Sequence, residues 1–160
     1  MIPITYQYGD ATNPSITGKI LIVHIVNDIG KWGAGFVLAL SKRWPMTRDE
    51  YLKWYFGTTK NPSFKLGEVL FVQPDTDVVV ANLIGQKGIR SKTNPIPIKY
   101  DAIAKGLDKI ADFASVSNPT ICMPRIGCGL AGGSWPVVQK LINDHLCSKD
   151  FNVIVYDFQP

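Results

Sequence analysis

The chain has 160 residues, a net charge of +4 and an isoelectric point near 9.0, with 46% hydrophobic and 19% charged residues. That length suits one domain, residues 1–160, able to bury a core without disulfides or a structural metal, and that composition excludes a disordered chain. Three cysteines, Cys122, Cys128 and Cys147, form an odd set without a C-x-x-C pair, which excludes a disulfide framework and a zinc site.

The elements follow in order. Ile2 to Gln7 alternates and reads as a strand, placed at a sheet edge because Pro3 has no N–H to donate. Ile20 to Ile25 is an almost unbroken β-branched run, the pattern of a strand covered on both faces. A Gly-rich turn, Gly30 to Gly35, leads into a helix over Phe36 to Arg43. Thr47 and Glu50 have capping-box spacing and open a second helix to about Phe56. Glu68 to Gln73 and Val78 to Leu83 read as strands joined across a Pro-Asp turn. Lys99 to Ala114 carries Ile103, Leu107 and Ile110 at helical spacing. Thr120 to Met123 is a short buried strand, Ser134 caps a helix reaching about Leu146, and Asn152 to Tyr156 is the last strand. Alternation of this kind predicts an α/β fold: a three-layer α/β/α sandwich around a mixed sheet.

No basic n-region with an apolar run follows Met1, and the runs Ile20–Val26 and Val78–Val80 are too short for a bilayer. A cytoplasmic monomer with no membrane partner is the expectation. The mild positive balance suits an anionic ligand. Lys87, Arg90 and Lys92 come closest to a basic patch and read as a solvated loop ahead of the alternative, a phosphate or nucleic-acid contact.

Two segments carry the chemistry. Gly127 to Gly133 holds four glycines between a strand and a helix, more than a tight turn needs. Glycines let a ligand approach the backbone, and loop N–H groups ahead of a helix N-terminus form an anion site. It is neither a Walker A motif nor a G-x-G-x-x-G fingerprint. The other segment, His24 to Gly35, ends a buried strand in polar groups: His24, Asn27 and Asp28, then Trp32, Gly33, Ala34 and Gly35. His24 is read as either a satisfied core residue or a base, and Asp28 as either an Asx turn or a ligand group. At the other strand ends, Gly9-Asp10 offers a carboxylate, and Tyr156 and Phe158 offer aromatic faces.

Gly9-Asp10, the His24-x-x-Asn27…Gly33-Ala34-Gly35 loop and Met123-Pro124-Arg125-Ile126-Gly127-Cys128-Gly129-Leu130 resemble the macro domain family over the whole chain. The resemblance is to the branch holding the terminal ADP-ribose protein glycohydrolase and the yeast-type ADP-ribose 1''-phosphate phosphatase. It implies a six-stranded mixed sheet and a cleft for ADP-ribose or a derivative, with ADP-ribosylated macromolecules as further partners and neither a cofactor nor a metal. It puts Gly9, Asp10 and Ala11 at the adenine and the Asn27–Gly35 loop at the distal ribose. Pro124, Arg125, Ile126, Gly127, Cys128, Gly129, Leu130, Ala131 and Gly132 wrap the diphosphate, and Tyr156 and Phe158 lie near the ribose and base. The glycohydrolase Lys and Asp positions fall on Gln86 and Ala131, with Lys87 one step away. The phosphatase-like route therefore stays open, with His24, Asn27 and Asp28 as its catalytic candidates, beside a non-catalytic binding module.

Overall fold

The computed structural model describes residues 1–158. In chain order the elements are β1 (Thr5–Tyr8), β2 (Ile20–Asn27), α1 (Phe36–Arg43), α2 (Pro45–Tyr55), β3 (Val69–Asp75), β4 (Val78–Gln86), α3 (Tyr100–Ala114), β5 (Thr120–Met123), α4 (Trp135–His145) and β6 (Val153–Asp157). The six-stranded sheet runs β1-β6-β5-β2-β4-β3. Every neighbouring pair is parallel except β3 with β4. The mixed α/β/α expectation holds, with β1 on an edge.

Alternation along β2 builds two cores. Leu21 and Val23 pack with Ile103, Leu107 and Ile110 of α3 and Val138 and Ile142 of α4. Ile20, Ile22 and Val26 point the other way, onto Val37 and Leu40 of α1 and Tyr51 and Trp54 of α2. Successive side chains of a strand leave on opposite faces, so an unbroken apolar run is what a doubly covered strand requires. No described helix is long and apolar enough to cross a membrane.

Three local expectations change. Helix α2 begins at Pro45, two residues before the anticipated cap. Proline suits a first turn because its missing N–H has no partner to lose. Thr47 is buried inside that turn, its hydroxyl donating to the Trp44 carbonyl at 2.7 Å, while Glu50 pairs with Lys53 at 3.1 Å. The β3–β4 turn is Thr76-Asp77; Pro74 and Asp75 stay in β3, where the register shifts between Val72 and Asp75. A bulge on an edge strand tolerates proline. Ser134 precedes α4, but its side chain makes no cap bond. Its N–H donates instead to the Tyr100 hydroxyl at 2.9 Å.

Because β1, β6, β5, β2 and β4 run the same way, their C-terminal ends share one rim. Both Gly-rich loops leave from that rim, where ligands of open α/β sheets sit.

Candidate functional site

The loop after β2 is organised by Asn27. Its Oδ1 accepts from Ile29 N at 3.1 Å, Lys31 N at 3.2 Å and the Tyr51 hydroxyl at 2.9 Å, and its Nδ2 donates to the Lys31 carbonyl at 2.6 Å. The buried amide is thus spent on shaping residues 28–31. Asp28 Oδ1 accepts from Gly88 N at 2.8 Å, tying this loop to the one after β4. Trp32 folds inward, its Nε1 donating to the Val37 carbonyl at 3.0 Å. The chain then emerges through Gly33, Ala34 and Gly35 into α1. Gly35 takes φ 84°, a conformation side chains rarely adopt, and no side chain caps the helix. The amides of Gly33, Ala34, Gly35, Phe36 and Val37 have no partner among the described residues.

The loop after β5 is held from within. Cys128 N bonds the Arg125 carbonyl at 3.2 Å, Gly132 N the Gly129 carbonyl at 3.1 Å, and Gly133 N the Gly127 carbonyl at 2.8 Å. A Cβ on Gly133 would collide with that Gly127 oxygen. Closing the loop this way leaves the N–H groups of Gly127, Gly129, Leu130 and Ala131 without partners among the described residues. Gly129 and Leu130 are exposed and Gly127 half-buried, so these N–H groups stand open at the cavity, and successive loop amides turned to one concavity suit an anion.

The two loops enclose a cavity of about 290 Å³, lined by His24, Ile25, Ala34 to Val37, Gln86, Pro124 to Gly127 and Gly129 to Ala131. A second cavity of about 310 Å³ shares Ile25, Ala34, Val37, Gln86 and Leu130 and continues past Asn27, Trp32 and Gly33 to Ile89 and Arg90. Neither lining contains a carboxylate.

His24 is the one imidazole in the wall. It is 2% exposed, with Trp32 and Phe36 packed on its ring at centroid distances of 5.5 and 5.8 Å. Its Nε2 meets Asn82 Oδ1, and its Nδ1 is buried without a partner. Burial pulls its pKa from 6.5 to about 4, outweighing an upward push from the Asn82 bond. The near-neutral base expected from sequence is therefore a neutral, weakly basic ring.

Arg125 lines the first cavity, yet its charge is already committed. Its Nε and one terminal nitrogen bond both Asp157 oxygens, at 2.6 and 3.0 Å. The guanidinium lies 5.4 Å from the Tyr6 ring and 5.0 Å from that of Trp135. The fork holds Asp157 below the usual carboxylate range.

Other expected residues lie elsewhere. Gly9, Asp10, Ala11, Tyr156 and Phe158 sit along the rim at β1 and β6, outside both linings. Asp10 Oδ1 accepts from Thr12 N at 2.8 Å and the Thr12 hydroxyl at 2.7 Å. Ala11 is buried, Phe158 exposed, and Tyr156 is buried beneath Gly9, its hydroxyl pushed up to about 12 by burial. Cys128 turns its thiol to the Ile126 carbonyl at 3.3 Å, and burial pushes it up to about 11. Gly132 packs against Pro95 and Ile96. Gln86 lines both cavities and Lys87 neither; Ala131 lines the first.

Sequence reasoning missed Asn82, although an amide midway along Val78–Gln86 was a visible signal, and it missed Ile89 as a lining residue; Arg90, read as a solvated loop residue ahead of a phosphate contact, lines the second cavity.

No family model matches the chain. A solved macrodomain protein from Streptomyces coelicolor is 44% identical, with a TM-score of 0.86 over 98% of this chain and 99% of that one. The mouse chromodomain-helicase-DNA-binding protein 1-like is 32% identical over 165 residues, 97% of this chain. This chain spans only 18% of that relative's length. The ADP-ribose 1''-phosphate phosphatase of Candida albicans is 24% identical over 159 residues, covering 95% of this chain and 99% of that protein.

Proposed function

This chain belongs to the macrodomain family, and on that premise we propose that it binds ADP-ribose in the cleft along the strand ends. The observation that carries the reading is the pair of facing loops whose amides have no partners: Gly127 and Gly129 to Ala131 on one side, Gly33 to Val37 on the other. A diphosphate between them accepts hydrogen bonds from donors already fixed in place, and charge-assisted bonds are the stronger class. The distal ribose then extends past Gln86 into the second cavity, and the adenosine lies toward Asp10 and Phe158. Asn27 acts as a positioning residue, since its amide is used in shaping the loop. Free ADP-ribose and ADP-ribosylated macromolecules both suit a cleft whose far end is open.

Calorimetry and thermal melting with ADP-ribose test this. At ligand 100 times Kd, binding adds about 2.7 kcal/mol and raises Tm by roughly 5–10 °C. No heat and no shift would end the proposal.

A second reading is hydrolysis of ADP-ribose 1''-phosphate. Its support is the neutral imidazole of His24 in the cavity wall and the likeness to the Candida albicans phosphatase. A ring with a pKa of about 4 is an available but weak base at neutral pH, so turnover by this route is slow. It levels off above about pH 5 and falls as His24 protonates. Free phosphate is the readout, beside a His24→Ala control; equal turnover in that variant removes His24 as the base.

A further inference from the structure

Helix α2 holds the loop after β2 from behind, through two tyrosines one helical turn apart that line neither cavity. Tyr51 is fully buried. Its hydroxyl donates to the Asn27 carbonyl at 2.8 Å, with Asn27 Oδ1 at 2.9 Å, so one proton is shared between two oxygens of the same residue. Its ring packs on Trp32 at a centroid distance of 5.5 Å and on Phe64 at 6.0 Å. Burial pushes the phenol above its ordinary range, so it stays a donor at neutral pH. The Tyr55 ring meets the same loop at Gly30, where an added Cβ would collide with it.

The strand ladder does not aim Asn27 by itself. Val26 pairs with Ile84 but Asn27 with Gln86, so Gly85 is an extra residue and the register shifts just before Asn27. Such an irregularity bends the strand and disrupts the ladder locally. The direction of Asn27 is then set by its own bonds: the carbonyl and Oδ1 to Tyr51, and Nδ2 to the Lys31 carbonyl. Asn27 and Trp32, both held by Tyr51, line the second cavity and not the first.

We propose that Tyr51, with Tyr55 beside it on α2, is a positioning residue that sets affinity for the part of a ligand reaching past Gln86, and not for the diphosphate in the first cavity. The inference rests on the ADP-ribose reading above and names a specificity determinant outside both linings.

The test compares ADP-ribose with ADP, which lacks the distal ribose, by calorimetry in the wild type, Tyr51→Phe, Tyr55→Ala and Ile142→Val. Tyr51→Phe keeps the ring and removes only the hydroxyl. Ile142 is buried on the opposite face of the sheet and controls for lost stability alone. Thermal melts show that each variant is folded. The wild type is expected to prefer ADP-ribose. Tyr51→Phe loses about fivefold in ADP-ribose affinity, the net worth of one hydrogen bond, and holds ADP within about twofold. Tyr55→Ala shifts the ratio the same way, and it keeps the question open to an answer if Tyr51→Phe does not fold. Ile142→Val lowers Tm and leaves the ratio unchanged. An unchanged ratio in the folded tyrosine variants, or an equal shift in Ile142→Val, overturns the positioning role and leaves ADP-ribose binding standing. A wild type that binds ADP as tightly as ADP-ribose likewise ends the inference alone. Failure of the wild type to bind either ligand overturns the site reading and the inference with it.

Discussion

His24 and Asn82 stand opposite one another on β2 and β4 and share a buried hydrogen bond between two strands that are otherwise apolar until their last residues, Asn27 and Gln86. Each is the other's only side-chain hydrogen-bond partner among the described residues; burial lowers the pKa of the ring and the Asn82 bond opposes that shift.

Acid sensitivity follows from the burial of His24. His24 has a folded-state pKa of about 4 against 6.5 when unfolded. Between those values the unfolded chain binds the extra proton, so stability rises with pH across the window and is flat above it. The loss on going from pH 7 to pH 4 is on the order of 3 kcal/mol from this residue alone. Urea titrations of the wild type and His24→Asn at pH 4.5 and 7.5 check it. The variant loses most of this slope, and an unchanged slope would refute the assignment.

Gly133→Ala places a methyl group against the Gly127 carbonyl that Gly133 N bonds at 2.8 Å. The loop must open to admit it. The expected cost is about 1–3 kcal/mol in stability and a loss of ADP-ribose affinity of at least about tenfold, by displacing several amides at once. Circular dichroism melts and calorimetry measure both. Intact affinity in a folded variant would show that the loop closure does not matter for binding.

Cys128 sits beside the cleft but is an inert thiol. Pushed up to about 11, it stays protonated at neutral pH. Alkylation by iodoacetamide at pH 7.5 is expected to be slow, and Cys128→Ser to keep ligand affinity within about twofold. Rapid labelling that abolished binding would contradict both statements.

Arg125→Ala removes the fork to Asp157 and the cation stacked on Tyr6 and Trp135. The pair is partly exposed, so the stability loss is about 1 kcal/mol or less. Ligand affinity is expected to fall by more than that, because Arg125 fixes the start of the amide-bearing loop to the end of β6. A stability loss with unchanged affinity would leave Arg125 a surface ion pair only.

The order of strands and helices was legible because each run has a clear period: the β-branched stretch of β2, and Ile103, Leu107 and Ile110 along α3. The two Gly-rich loops were legible because so many glycines between a strand and a helix exceed what a turn requires. The start of α2 was not, because the Thr47–Glu50 spacing competes with Pro45, and the ring's fixed φ decides. Nor was the state of His24 or the commitment of Arg125. Both depend on residues 58 and 32 positions away, whose neighbourhood is set by strand register and not by local pattern. The inward turn of Trp32 was not legible either, because its indole N–H finds the Val37 carbonyl only once α1 is in place.

The rim beside the cavities continues onto β1 and β6, where Thr5 lies beside Ile154 and Tyr8 beside Asp157. These partners are the most remote in sequence of any in the sheet, and closing so large a loop is entropically slow. The end proposed above for the adenosine can therefore be complete only after the most distant segments have met, and on that reading ligand capture during refolding reports the last docking event. A kinetic experiment that follows ligand uptake beside backbone circular dichroism would see the first lag behind the second.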